Sequence, residues 1–398
     1  MSVATLDDYR WLTSGKAHAW LEALRTDSRP LVQLAKQLRK ELSEGRVHLL
    51  LELRELRRRA EVKFAAAQQL FFTRRGLEQA TDQWIAAYKA ERLPAEVPLA
   101  DLCCGIGGDL FALAANSPVT GVDRDPVHAL LAEVNCRALG TPAHGVETVD
   151  AAAIDLGNYQ AWHIDPDRRP SQRRTAQPCW SSPPTEVIDR HLCRHPDGAV
   201  KLAPAATVSD AWQANAERQW IGSGRECKQQ VAWFGQLAWH AGKHTVIVLN
   251  YRASRNRLLV GLPDKTVEPT GQLGRFICEP HAAVLAARLT GTLAEIHGLT
   301  GLDPQVEYLS SEYAVDDPLL SCFEVLERLP LDLKHLRAAL RRHRIGQLEI
   351  KKRGVAIDPQ NLRKRVQGRG ERRATLVITP MSGKVHAVLC RRVTESID

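Results

Sequence analysis

Residues 99–109 read L-A-D-L-C-C-G-I-G-G-D and residues 119–126 read V-T-G-V-D-R-D-P. No other stretch constrains the fold as much. An apolar strand that reaches Asp101 and turns through Gly105 and Gly107 makes a βα turn against which a nucleotide can lie. A second short strand ends in Asp123, an acid suited to accept hydrogen bonds from both hydroxyls of a ribose. A side chain at Gly105 or Gly107 is expected to collide with such a ligand, and glycine admits the positive φ that the turn can require. Dinucleotide-binding turns carry G-x-G-x-x-G with a helix N-terminus facing a pyrophosphate. Here the pattern is G-x-G-G-D, and Asp109 stands where a phosphate needs neutral or positive surroundings. An acid there suits a cationic amino acid.

This arrangement resembles motif I of the class I S-adenosylmethionine-dependent methyltransferases, whose cofactor carries a sulfonium, an α-amino group and a ribose but no phosphate. The resemblance implies that Asp101, Gly105, Gly107 and Asp109 surround the methionine end, that Asp123 serves the ribose, and that Asp150, after the third strand, lies near the adenine amino group. Cys103, Arg124, Ala151 and Asp165 complete the implied cofactor-binding set. The cofactor implied is S-adenosyl-L-methionine. The bland alternative is a generic βαβ turn with incidental acids.

At 398 residues the chain exceeds the length at which a single core stops growing, so two or three domains are expected. The opening M-S-V-A-T-L-D-D-Y-R has no basic region followed by an apolar core, and no apolar run of about 18 residues occurs. The expectation is a cytoplasmic protein with no membrane partner; oligomeric state is not legible. Nine cysteines lack paired C-x-x-C spacing, so neither a zinc site nor a disulfide framework is expected. None sits in a context that marks a nucleophile.

Three blocks follow along the chain. Residues 1–94 carry helical periodicity, as in Leu31, Leu34, Leu38 and Leu42, then Leu49, Leu53, Leu56 and Ala60, and form the expected N-terminal helical domain. Its basic stretch, Arg54, Arg57, Arg58, Arg59 and Lys63, suits either RNA or the wet face of a helix. Phe64, Phe71 and Phe72 suit helix packing, or a loop closing over the cofactor; the segment has a distant likeness to the one preceding the catalytic domain of trimethylguanosine-synthase-like methyltransferases. Residues 95–262 alternate strands and helices, with strands expected at 98–103, 119–122, 145–149, 161–164, 198–202 and 245–249. A strand, a turn and a short helix are expected through 218–235, and a helix opening at Arg275 and running past Leu289.

Ligands in doubly wound sheets bind beyond the carboxyl ends of the strands. The fourth strand ends in H-I-D-P-D-R-R-P, at the place of the methyltransferases' substrate-side motif. Enzymes that methylate base amino groups carry [DNS]-P-P-[YFW] there, and no aromatic follows Pro166 here. Asp165 can orient an acceptor and take its proton, Arg168 can hold a phosphate through a bidentate fork, and these two are the candidate catalytic residues. The alternative for Arg168 and Arg169 is an internal ion pair with Asp165 or Asp167. Lys63 and Lys201 are further candidate substrate contacts. No metal is needed for transfer from a sulfonium.

Charge is uneven. Residues 334–398 hold 17 Lys and Arg against 5 Asp and Glu, a net of +12, although the whole chain carries only +8. That is the footprint of a polyanion binder, or else a merely basic solvated surface. The order of a helical N-terminus, D-L-C-C-G-I-G-G-D, V-D-R-D-P, D-P-D-R-R, K-L-A-P, Glu279-Pro280, and I-K-K-R-G-V with a terminal hairpin resembles bacterial class I methyltransferases with a C-terminal THUMP-like domain. The fold so implied is α/β: a Rossmann-like methyltransferase sheet, the N-terminal helical domain, and a C-terminal region, 275–398, with an α+β THUMP-like domain at about 320–395. The same resemblance implies RNA as partner, tRNA or rRNA, with Lys351, Lys352, Arg353, Arg363, Lys364 and Arg365 as phosphate contacts. Asp358-Pro359 places Pro at the first position of the helix bearing the last three. Three readings follow: an RNA methyltransferase, a methyltransferase with a small-molecule or protein acceptor, and a non-catalytic RNA-binding protein.

Overall fold

A computed structural model describes residues 4–141, 143–167, 181–250, 256–366 and 368–393. Two compact units share the chain: residues 1–202, 206–209 and 232–239 form the first, and residues 203–205, 210–231 and 240–398 the second. The division departs from the three expected blocks.

In the first unit the helical block comprises α1 (Leu6–Leu12), α2 (Gly15–Thr26), α3 (Leu31–Leu38), α4 (Glu44–Ala60), α5 (Arg74–Gln79) and α6 (Gln83–Arg92). Ser43 caps α4 and Asp82 caps α6, each accepting from a backbone N–H of the first turn. Leu49, Leu53, Leu56 and Ala60 are buried as the periodicity requires. The basic stretch divides: Arg58 and Arg59 are exposed, whereas Arg57 is buried and donates through Nε to the Leu70 carbonyl at 2.9 Å. Its burial brings the guanidinium down to about 10. Phe64 and Phe72 are core residues, and Phe64 meets the Phe111 ring edge-on at 6.2 Å.

The sheet follows as β1 (Leu99–Leu102), α7 (Leu110–Asn116), β2 (Val119–Asp123), α8 (Pro126–Ala138), β3 (Gly145–Thr148), β4 (Ala161–Ile164), α9 (Thr185–Arg194) and β5 (Gly198–Leu202). The strands are parallel in the order β3-β2-β1-β4-β5. All but β3 are buried along their whole length, hence the continuous apolar runs. Register sets Asp101 between Gly121 and His163. Asp125 caps α8 from the position before Pro126.

The second unit holds α10 (Asp210–Asn215), β6 (Glu217–Ser223), most of β7 (Glu226–Trp233), β8 (His244–Leu249) and β9 (Arg257–Gly261). It continues with β10 (Phe276–Pro280), α11 (Ala282–Ala286), α12 (Thr290–His297), β11 (Thr300–Asp303), β12 (Val306–Ser311) and β13 (Leu320–Pro330). The chain ends in α13 (Leu333–Arg342), β14 (Ile345–Lys352), α14 (Pro359–Val366), β15 (Arg372–Met381) and β16 (Lys384–Arg392). A seven-stranded sheet runs β11-β12-β10-β13-β16-β15-β14.

Two expectations are corrected. The short helix expected near 231–235 is the end of strand β7, followed by one 3-10 turn at Gly235–Leu237. The helix expected from Arg275 is strand β10, because Phe276, Ile277 and Cys278 pair on both sides with β12 and β13; Pro280 ends it, and His281 then caps the short α11. The boundary at 262 also disappears, for a physical reason. Trp220, Val246, Val248 and Leu259 share one core with Cys278, Leu289, Leu293 and Leu309, so no hydrophobic gap marks a domain edge. Among the described residues no helix is long and apolar enough to cross a membrane.

Asn135 on α8 ties the first unit together. Fully buried, it accepts from the Phe71 N–H at 2.7 Å and donates to the carbonyls of Phe71 and Ile106 at 2.9 and 3.1 Å. It thereby clamps the chain leaving the helical block to the glycine turn. Asn135→Ala strands three backbone groups, and a loss of about 3 kcal/mol is expected in chemical denaturation.

Candidate active site

The glycine turn closes at the carboxyl end of β1. Gly105 has φ 56°, Gly107 φ 95° and Cys103 φ 56°, all left-handed. The two glycines serve different ends. A Cβ on Gly107 would lie 2.3 Å from the Phe111 ring, so this glycine answers an internal packing demand and not the ligand collision expected of it. A Cβ on Gly105 would meet nothing within 4 Å, which leaves open space over the turn where a ligand can lie.

Asp123 closes the turn from the next strand. Its Oδ2 accepts from Gly105 N–H at 2.8 Å and its Oδ1 from Asp125 N–H at 2.9 Å, so each carboxylate oxygen is oriented by one backbone donor and keeps further accepting capacity. Arg124 is exposed and donates to Ser182 Oγ at 3.0 Å. Asp150 is exposed and accepts from Ala152 N–H at 2.8 Å, while the Ala151 carbonyl receives His191 Nε2 at 2.8 Å. Cys103 sits among acids: burial, then Asp123, Asp165 and Asp101, push its thiol well above the ordinary range. A protonated thiol there is no nucleophile.

Beneath the turn runs a buried polar chain that the sequence did not announce. His163 Nδ1 lies 2.7 Å from Asp101 Oδ1, and its Nε2 lies 3.1 Å from Lys89 Nζ. Lys89 has only hydrogens to give, so Nε2 accepts and Nδ1–H donates to Asp101. Lys89 pairs with Asp109 at 2.6 Å, and Asp109 Oδ2 accepts from Thr81 Oγ1 at 2.8 Å. Thr81 Oγ1 in turn receives Lys201 Nζ at 2.9 Å, and Lys201 ends the chain on Asp165 Oδ2 at 2.5 Å. Asp165 is the one member that reaches solvent appreciably, at 22% side-chain exposure against 6% for Lys201.

The charges explain themselves. Burial alone raises the Asp109 carboxyl, but Lys89, with Lys201 behind it, holds it well below the usual carboxylate range. Burial drives Lys89 down from its ordinary value, and burial raises Asp101 against the pull of its bond to His163. Asp109 is therefore matched by an internal cation and does not stand open to receive one from a ligand, as its sequence position had suggested. Asp101 differs, since its Oδ2 is buried without a hydrogen-bond partner among the described residues.

A rim from the helical block reaches the D-P-D segment. Asp167 is held by Gln79 Nε2 at 2.7 Å and by Arg75, so its partners include this rim. Lys63, expected as a substrate contact, instead donates to the carbonyls of Leu77 and Ala80, each at 2.8 Å. It shapes the segment that delivers Gln79 and Thr81. Lys201, the other candidate contact, is committed to Thr81 and Asp165. Arg168 and Arg169 lie outside the described residues, so the catalytic role expected of Arg168 has no structural description.

Several of these residues escaped sequence reasoning. Lys89 left a signal: it shares the face of α6 that buries Ile85, Ala86 and Ala90, and a lysine on an apolar stripe needs a buried partner. His163, in a strand buried along its length, left the same kind of signal. Thr81, Gln79 and Arg75 left none.

Two uncharacterized S-adenosylmethionine-dependent methyltransferases, from two strains of Mycobacterium tuberculosis, are each 33% identical to this chain over 365 residues, which cover 86% of it and 96% of the relative. The chain belongs to the S-adenosylmethionine-dependent methyltransferases. A THUMP domain-like family model matches residues 320–392 of this methyltransferase, which carry β13 to β16. A crystal structure of a Porphyromonas gingivalis W83 protein assigned to the methyltransferases superimposes with a TM-score of 0.80 at 18% identity, covering 99% of this chain and 100% of that one, and so shares its fold. S-adenosylmethionine is the methyltransferase's cofactor, and the turn fits it: open space above Gly105, a doubly anchored acid at Asp123, and an orphaned buried acceptor on Asp101.

Two outcomes follow for the methyltransferase. Lys89→Met leaves a buried carboxylate without its cation, at a cost of about 3–5 kcal/mol. In the wild type the Asp109 carboxyl titrates below its unfolded value, so its stabilisation is present above about pH 4 and lost as pH falls further. Without Lys89 burial lifts that carboxyl instead, so the deficit, read by denaturant titration, is expected to grow from pH 4 to pH 7. The second outcome separates the glycines. Gly107→Ala is expected to lower the melting temperature sharply, whereas Gly105→Ala costs only about 1–2 kcal/mol of left-handed strain yet weakens S-adenosylmethionine binding in calorimetry.

Proposed function

We propose that this methyltransferase acts on RNA. The observation that carries the reading is the concentration of charge: a net of +12 over residues 334–398 coincides with the THUMP-like stretch 320–392. Lys352 and all three cations of α14, Arg363, Lys364 and Arg365, are exposed and suited to phosphates. Asp358 caps that helix, accepting from Gln360 N–H at 2.9 Å. Lys351 and Arg353 differ from the expectation, because Glu279 holds them at 2.6 and 3.3 Å and part of their charge is spent inside the protein.

S-adenosylmethionine supplies an electrophilic methyl group. In this reading Asp101 and the backbone at Gly105 and Gly107 hold its methionine end, Cys103 lines it, Asp123 takes the ribose hydroxyls with Arg124 beside it, and Asp150 with Ala151 borders the adenine. Asp109 acts through Lys89, keeping the charge of the underlying network balanced. Asp165, at the exposed end of that network and at the end of β4, would accept a hydrogen bond from the acceptor's N–H or O–H and take its proton as the methyl group passes to the acceptor and the cofactor's sulfur is left as a neutral thioether. Lys201 is a positioning residue that fixes the Asp165 carboxylate.

The test is transfer of tritiated methyl from S-adenosylmethionine to small and ribosomal RNA from a strain lacking the gene. Incorporation by the wild type is expected, with Asp165→Asn slowing turnover by about 100-fold or more while cofactor affinity stays near normal. Asp123→Ala is expected to lose cofactor affinity instead. Cofactor binding without label in any RNA would move the reading to a protein or small-molecule acceptor.

A further inference from the structure

Counted by charge, the buried chain beneath the glycine turn is one cation short. Lys89 matches Asp109 at 2.6 Å and Lys201 matches Asp165 at 2.5 Å. The third carboxylate, Asp101, has only His163 Nδ1 beside it, at 2.7 Å. That imidazole brings no charge, because its Nε2 accepts from the Lys89 ammonium at 3.1 Å, and a protonated ring would set two donors against each other. Asp101 and His163 are each 1% exposed, and Asp101 Oδ2 has no hydrogen-bond partner among the described residues. A carboxylate with one oxygen bare and no counter-ion is costly so far from water.

Register and one lysine decide which oxygen is left bare. His163 on β4 pairs in register with Asp101 on β1 and with the small Ala199 on β5, so the imidazole stands beside the carboxylate on one face of the sheet. Lys89, approaching from α6 and itself held by Asp109, fixes the ring with its proton on Nδ1. The ring then claims Asp101 Oδ1 and leaves Oδ2 without a partner.

The groups facing Asp101 are His163 from β4, Lys89 from α6, Asp109 from the glycine turn, and the thiols of Cys103, Cys104 and Cys136. Burial pushes all three thiols up, so they stay neutral. Burial also raises Asp101, with Asp109 adding to it, against the pull of His163 and Lys89. Without a ligand cation, a proton on Oδ2 is the remaining way to neutralise this acid. Of the two positive groups on S-adenosylmethionine, the sulfonium becomes a neutral thioether on transfer, whereas the α-ammonium persists in the product S-adenosylhomocysteine. The ammonium is therefore the charge that a fixed buried carboxylate can match before and after the reaction.

We propose that His163 is a positioning residue for cofactor binding: held by Lys89, it fixes Asp101 so that Oδ2 receives the cofactor's α-ammonium, the counter-ion that the buried chain lacks. On binding, the O–H bond at Oδ2 breaks, its proton passes to solvent, and the ammonium takes its place. The inference rests on the reading above that Asp101 holds the methionine end, and adds to it the residues that prepare Asp101 and the proton that binding displaces.

The experiment is calorimetric titration of the full chain with S-adenosylhomocysteine and with methylthioadenosine, which lacks the amino-acid end, in buffers of different ionisation enthalpy between about pH 5 and 7. The bound form needs the carboxylate, so acid opposes binding. S-adenosylhomocysteine is expected to displace up to about one proton from the wild type, and to bind more tightly as pH rises until Asp101 is ionised without it; methylthioadenosine is expected to displace none. His163→Phe removes both ring bonds and is expected to weaken S-adenosylhomocysteine about 10-fold or more and methylthioadenosine by less than about 2-fold. His163→Asn, which keeps an N–H for Oδ1, is expected to regain most of that loss. The wild-type proton count stands whether or not a variant folds, and melting temperatures identify the folded ones. No proton displaced by S-adenosylhomocysteine anywhere in this range, or equal weakening of both ligands by His163→Phe, would overturn the proposal. Asp101→Asn separates the two readings: unchanged affinity for S-adenosylhomocysteine would overturn the methionine-end reading as well, whereas a selective loss there beside a silent His163→Phe would overturn only the role of His163.

Discussion

The candidate active site depends on a chain of buried charges that balance only when all are present. From Asp101 through His163, Lys89, Asp109, Thr81 and Lys201 to Asp165, each residue has the next within hydrogen-bond or ion-pair distance, and Asp101 Oδ2 is left over as an acceptor. Charges taken out of water are costly unless paired, and breaking one pair costs more than the pair contributes. The chain therefore specifies position. It draws members from α6, the segment after α5, the glycine turn and three strands, so these must reach their native places together.

This requirement explains the helical block. Read alone, residues 1–94 look like a separable helical domain. In the structure they supply Lys89 and Thr81 to the charge chain, Gln79 and Arg75 to Asp167, and the Phe71 backbone to Asn135. A segment with so many obligations to the sheet belongs to its unit, as the compact division of the chain records. Its residues build the floor and rim of the glycine turn, with Lys63 fixing the bend that delivers Thr81.

The second unit follows the same logic in different chemistry. Glu279 and Glu349 collect cations that would otherwise repel, and they come from different strands, β10 and β14. The two acids thus convert a basic composition into a shaped surface. A count of lysines and arginines reads the total charge correctly but cannot distinguish Lys351, spent on Glu279, from Arg363, exposed on a helix.

Much of the first unit was legible in the chain. The strands at 99–102, 119–123, 161–164 and 198–202 stand where apolar runs and their bounding residues predict, because parallel strands buried on both faces leave a continuous signal; the edge strand at 145–148 left only an apolar-polar alternation, and Asp125-Pro126 marks a helix start. The glycine turn and its two acids were equally plain, since local backbone geometry restricts which residues can occupy it. What only the tertiary structure decided were partners distant in sequence: Lys89 with His163 across 74 positions, Lys201 with Thr81 across 120, Gln79 with Asp167 across 88. Periodicity reports which face is buried and not what it meets. The strand at 276–280 and the loss of a boundary at 262 have the same cause, because pairing with β12 and β13 and a shared core are non-local. The sequence by itself determined the class of fold and the place of the glycine turn; the structure decided which charges remain available to act, because that depends on every neighbour the fold brings near.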